Sequence, residues 1–252
     1  MLRNVKSLTG FTMGATDGEF GKVEEFYFDD ESWTARYLVV ETGSWLFGRK
    51  MLISPVALEK PDLENKVFPV RLTKEQIKNS PDIDTERPVS RQQEVDLHSH
   101  YEWPYYNSAG IGFYGSIGMM GMMDSRVPFE DIISDKYAEE QFTNPHLRGT
   151  REVTGYDIHA ADGVIGEVED FIIDEETWSI RFLVVNTGNW LPGKKVLISP
   201  KWISNVNWAE SSVIVDLTVD AVKNSPEYDP SLPFHETYEV DLYIYYGRSV
   251  DE

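Results

Sequence analysis

The 252-residue sequence carries 43 acidic against 23 basic side chains, a formal charge of −20, and no cysteine. The charge excludes a surface built for nucleic acid or anionic lipid, which needs clustered Lys and Arg. The missing thiols exclude disulfides, thiolate metal sites and cysteine nucleophiles. With 41% apolar and 13% aromatic residues the chain is too apolar for a disordered acidic tail. Its opening residues hold no apolar core of signal-peptide length, which places it in the cytoplasm.

In chain order, Asp17-Gly18 is a two-residue hairpin signal, because glycine tolerates positive φ. Strands are predicted over 21–29 and 35–41, joined by an acidic turn at Asp29-Asp30-Glu31. The Leu38-Val39-Val40 run indicates burial on both faces. Trp45-Leu46-Phe47 follows in a Gly-flanked loop, then strands over 49–54 and 67–72. Thr73-Lys-Glu-Gln76 is a capping-box pattern that opens a short helix ending before Pro81. His98-Ser-His100 reads as a surface strand end. After residue 101 comes an uncharged run over 103–123, rich in Gly, Met and aromatics and ending in Met119, Met120, Met122 and Met123. Its length of about 21 residues is enough in principle to cross a bilayer. Five glycines, acidic flanks and no basic anchor make it a connector instead.

From Thr154-Gly155 the order repeats. Thr9-Gly10 through Tyr101 aligns with Thr154-Gly155 through Tyr246 at a constant offset of about 145, with roughly 40 of about 93 pairs identical. Asp162-Gly163, Trp178, Arg181, Leu183-Val184-Val185, Trp190-Leu191 and Leu197-Ile198-Ser199-Pro200 repeat Asp17-Gly18, Trp33, Arg36, Leu38-Val39-Val40, Trp45-Leu46 and Leu52-Ile53-Ser54-Pro55. A repeat of this length is a domain, so two cores are expected. The predicted division is 1–101, a connector over 102–148, and 149–252. Charge is uneven, roughly −4, −5 and −11 over 1–101, 102–146 and 147–252. Short strands at this spacing with one brief helix predict a mainly β protein of two small β-barrels in tandem, each with a short helix.

The ordered set Gly10, Asp17-Gly18, Gly21, Trp33, Arg36, Leu38-Val39-Val40, Gly43 and Leu52-Ile53-Ser54-Pro55, met again in the second half, resembles the PRC-barrel family. That family includes the cytoplasmic domain of the photosynthetic reaction-centre H subunit and the C-terminal domain of the ribosome maturation factor. The resemblance implies PRC-type barrels that act by contacting other proteins.

No repeated Ser, His and acid set builds a triad, and no glycine loop precedes a helix to cradle phosphate. His98 and His100 are a candidate metal pair, and Asp29-Asp30-Glu31 and Asp174-Glu175-Glu176 are candidate cation clusters. The bland readings are a strand end and acidic turns, and they are preferred. Trp33 and Trp178 are read as structural covers. The candidate interaction residues are Trp45, Leu46, Phe47, Trp190 and Leu191 at the loop tips, and Met119, Met120, Met122 and Met123 in the connector. The expectation is a non-enzymatic interaction or assembly module with no cofactor and no metal. Its partners are proteins, a second copy of the chain among them, with peripheral contact to a membrane complex and no membrane insertion or nucleic acid. The alternative is a small-molecule or divalent-metal sensor that uses the acidic turns or the cleft between barrels.

Overall fold

The computed structural model describes residues 1–83, 89–104, 146–188, 194–232, 234 and 236–249. The first half runs β1 (Leu2–Asn4), the one-turn helix α1 (Val5–Leu8), β2 (Thr12–Ala15), β3 (Gly18–Asp29), β4 (Thr34–Glu41), β5 (Lys50–Ile53), β6 (Val67–Pro69), α2 (Lys74–Lys78) and α3 (Arg91–Tyr101). The second runs β7 (Leu147–Gly149), α4 (Thr150–Val153), β8 (Asp157–Ala160), β9 (Gly163–Asp174), β10 (Ile180–Asn186), β11 (Lys195–Ile198), β12 (Ile203–Asn207), β13 (Ser212–Val215), α5 (Val219–Lys223) and α6 (Glu236–Tyr245).

Local chemistry accounts for most of these elements. Ala15 pairs with Gly18 and Ala160 with Gly163, so each hairpin loop lies one residue before the Asp-Gly step expected to form it. The aspartate has another task. Asp17 Oδ1 accepts the backbone N–H of Lys74 at 2.8 Å, and Asp162 Oδ1 that of Val219 at 2.7 Å. Each hairpin thereby caps the first turn of a short helix, whose leading N–H groups have no partner inside the helix. Thr73 and Gln76 form both arms of the capping box at α2, whereas Thr218 caps α5 alone. In β4 the residues from Tyr37 to Val40 are all fully buried, which accounts for the unbroken apolar run.

The strands form two mixed sheets, and neither closes into a barrel, contrary to the expected pair of small β-barrels. The first has the order β5-β4-β3-β2-β6, with β7 also on β3; the second has β11-β10-β9-β8-β13-β12, with β1 also on β9. The β2–β6 and β8–β13 pairs are parallel and the others antiparallel. Closure would require the outermost strands of each order to pair with one another, and they do not. In the first sheet those strands, β5 and β6, are only four and three residues long. The far end of each long strand is occupied instead by a strand from the other half. Tyr27, Phe28 and Asp29 of β3 pair with Gly149, Arg148 and Leu147. Ile172, Ile173 and Asp174 of β9 pair with Asn4, Arg3 and Leu2.

The two halves therefore exchange their leading segments. Glu25 on β3 accepts the backbone N–H of Arg151 at 3.3 Å, and Asp170 on β9 accepts that of Lys6 at 3.1 Å. The turn tryptophans complete the reciprocity: Ile180 N–H donates to the Trp33 carbonyl at 2.7 Å, and Ala35 N–H to the Trp178 carbonyl at 2.8 Å. Phe28 of β3 meets Phe171 of β9 at 5.9 Å between ring centres, and Trp178 packs on Phe26 and Phe68. The described core is accordingly one continuous cluster rather than the two expected, because the exchanged segments and Trp178 carry apolar surface across the boundary.

Candidate functional site

The loop after β4 is built as a fixed tip. A 3-10 turn over Gly43–Leu46 ends at Phe47, whose backbone is left-handed (φ 57°, ψ 33°), and Gly48 follows at φ 75°. A bulky residue in this region is strained by about 1 kcal/mol or more and persists only when its surroundings hold it there. The holding contacts are clear. Gly48 N–H donates to the Gly43 carbonyl, and the Thr42 hydroxyl to the Arg49 carbonyl at 2.9 Å. Arg49 reaches past α2 to the Ser80 and Pro81 carbonyls at 2.8 and 2.7 Å and to Asp82 at 3.0 Å. Lys74 Nζ lies 4.7 Å over the Trp45 ring. Trp45 and Leu46 pack partly against the core, while Phe47 is 100% exposed. Of these three predicted contact residues the fold presents Phe47 and uses the other two as its footing. Trp190, Leu191, Met119, Met120, Met122 and Met123 lie outside the described residues.

The acidic turns are occupied by protein. Asp29 Oδ1 accepts the backbone N–H groups of Ser32 at 2.9 Å and Glu31 at 3.2 Å. Asp30 pairs with His146 and Arg148, both at 3.0 Å, while in the second half Glu175 pairs with Arg3. The carboxylates shape their turns and bind the leading segment received from the other half. Among the described residues no group of three or more His, Asp or Glu is placed to hold a metal ion.

A cleft of about 570 Å³ lies between the halves, with Asp30, Trp33, Arg181, Lys201, Asn205 and Tyr243 in its lining. A smaller cavity of about 320 Å³ lies between the exchanged helices and includes Glu25 and Asp170. Burial pushes both carboxyls above the usual carboxylate range.

His98 and His100 lie on α3 rather than on a strand end, and they point to different partners. His100 Nε2 is 2.9 Å from the Gln76 carbonyl. His98 is buried with Asp29, Arg36, Tyr37 and Glu94. Arg36 bridges Asp29 at 3.3 Å and Glu94 at 3.5 Å. Tyr37 Oη is 3.0 Å from Glu94 Oε1 and 2.7 Å from His98 Nε2, and His98 Nδ1 is 2.8 Å from the Pro104 carbonyl. Burial pushes the imidazole down to about 4. Sequence reasoning missed this cluster because it missed the helix. The available signal was Ser90-Arg-Gln-Gln93, a second capping box, with Gln93 N–H to Ser90 Oγ at 3.2 Å and Ser90 N–H to Gln93 Oε1 at 2.8 Å. Also missed was α6, which leaves Val240 and Ile244 exposed one turn apart.

Among the described residues no helix is long and apolar enough to cross a membrane. The PRC-barrel domain family matches residues 148–222, from the exchanged β7 into α5 and under a third of the chain. No curated protein matches the sequence. The second half thus carries a PRC-barrel-like domain whose sheet is open.

Proposed function

We propose that the chain is a non-catalytic protein-interaction module made of two copies of a PRC-like domain, and that Phe47 is its principal contact with a protein partner. The domain match over 148–222 and the constant offset between the halves support the duplication and the divisions 1–101 and 149–252. The resemblance to the PRC-barrel family, whose members include the reaction-centre H subunit and the ribosome maturation factor, supports a role in assembly, in the cytoplasm or at the periphery of a membrane complex. One observation carries the reading. A side chain left fully exposed by the described residues stands on a left-handed backbone braced by Arg49 and Thr42, and it is aromatic. An aromatic anchor held rigidly spares the ordering cost of binding.

The partner has a mixed or basic face, because the chain carries a charge of −20. A photo-crosslinking residue at position 47 should capture a discrete partner, another copy of the chain included. Phe47→Ala should lose that partner in pull-down while melting as the wild type does. Retention of every partner by Phe47→Ala, or a strict monomer that captures none, overturns the reading.

A further inference from the structure

Four consecutive residues of β12, Ile203, Ser204, Asn205 and Val206, line the cleft of about 570 Å³ between the halves. Successive side chains of a strand point to opposite faces. A cleft that touches four in a row therefore runs along the edge of the strand and not over one face. That edge is open. β12 is outermost in the second sheet, and among the described residues it pairs only with β13. Ser204 and Asn205 are exposed, and the five residues of the strand offer about 16 Å of edge.

The opposite wall is also built from consecutive residues, Asp30 to Trp33 and Ser179 to Arg181. Its amides are largely bonded already. The N–H of Asp30 donates to the His146 carbonyl and those of Glu31 and Ser32 to Asp29 Oδ1. Those of Ser179 and Ile180 donate to Thr177 Oγ1 and the Trp33 carbonyl. That wall presents side chains, and β12 presents main chain. The first half treats the corresponding stretch differently. Glu59, Lys60 and Pro61 stand there in place of Ser204, Asn205 and Val206. Charge and proline guard a sheet edge against further pairing, because a charge resists burial and proline has no N–H to give. The guard is missing on the edge that borders the cleft.

We propose that an extended, basic segment of a protein partner adds to the second sheet along β12, inside the cleft. Main-chain hydrogen bonds to the free edge supply the affinity, and the opposite wall sorts the side chains. Asp30, Glu31, Arg181 and Lys201 give the lining itself no net charge. The basic character of the segment follows instead from the charge of −20 on the whole chain, which repels an acidic segment and steers a basic one inward. The proposal rests on the reading of the chain as a protein-interaction module but not on Phe47, which belongs to the first half.

The test uses the full-length protein and a displayed library of random peptides, with the tightest binder synthesised as the probe. The probe should be basic, and it should slow amide exchange over 203–207 in the wild type. N-methylation of its alternate amides should weaken binding about tenfold or more in one register and little in the other, because only every second N–H of an added strand faces β12. Ser204→Pro should weaken binding as well. The register shift in β12 makes Ser204 the extra residue of a bulge, a position that tolerates proline. If that variant fails to fold, the exchange and N-methylation measurements on the wild type decide. Phe47→Ala should bind the probe as the wild type does, so a failure of the loop tip and a failure of the cleft are told apart. A library that yields no binder or an acidic one, a probe that leaves 203–207 unprotected, or equal losses in both registers overturns the proposal.

Discussion

Gly21 and Gly166 hold equivalent places on the two long strands, where the neighbouring strand comes closer than any side chain permits. A methyl group at Gly166 would lie 2.0 Å from the Asn186 carbonyl oxygen, and one at Gly21 2.5 Å from that of Glu41. The obstacle is backbone in both cases, so the sheet itself must move. Gly166→Ala should cost about 1–3 kcal/mol in urea unfolding, with Gly21→Ala in the same direction. Phe47 is the opposite case. It fills no space in the fold, so Phe47→Ala should shift stability by less than about 0.5 kcal/mol. A residue whose loss costs binding without stability is what an interaction site requires.

Among the elements, the short helices depend on caps from elsewhere in the chain. Asp162→Ala leaves the Val219 N–H without its acceptor and should destabilise the protein by about 1 kcal/mol, read from the denaturation midpoint. Thr73 with Gln76 was legible as a cap because a recognisable helix start follows a strand. Ser90 with Gln93 is the same pattern, yet α3 went unread. The buried members of α3, Glu94, Leu97, His98 and Tyr101, follow helical spacing, but two of the four are Glu and His. Periodicity is sought in apolar residues, so a helix whose inner face is partly charged looks like a loop. The same cause hid the cluster built on it. The acidic turns were read correctly as turns, since Asp29 accepts from Glu31 and Ser32 within its own loop.

For the whole molecule, the exchange of leading segments predicts that the halves stay together without a covalent link. A protease site inserted within 105–145 should be cleaved to give two fragments that co-elute in size exclusion and separate only in denaturant. Separation under native conditions would contradict the exchanged arrangement. Removing residues 1–9 should act at a distance, lowering amide protection in β9 of the second sheet more than in β3, because Leu2, Arg3 and Asn4 pair with Asp174, Ile173 and Ile172.

By itself the sequence determined the longer strands, the acidic turns and the capped start of α2, because alternation, turn residues and caps act over a few neighbours. Tertiary structure decided which sheet receives each leading strand, whether the sheets close, and that the core is continuous. The reason is the likeness of the two receiving strands. Arg3 and Arg148 stand at matching positions, and so do the long-strand edges of β3 and β9 that receive them. Two edges so alike offer the same local chemistry to either strand, and only the path of the folded chain chooses between them.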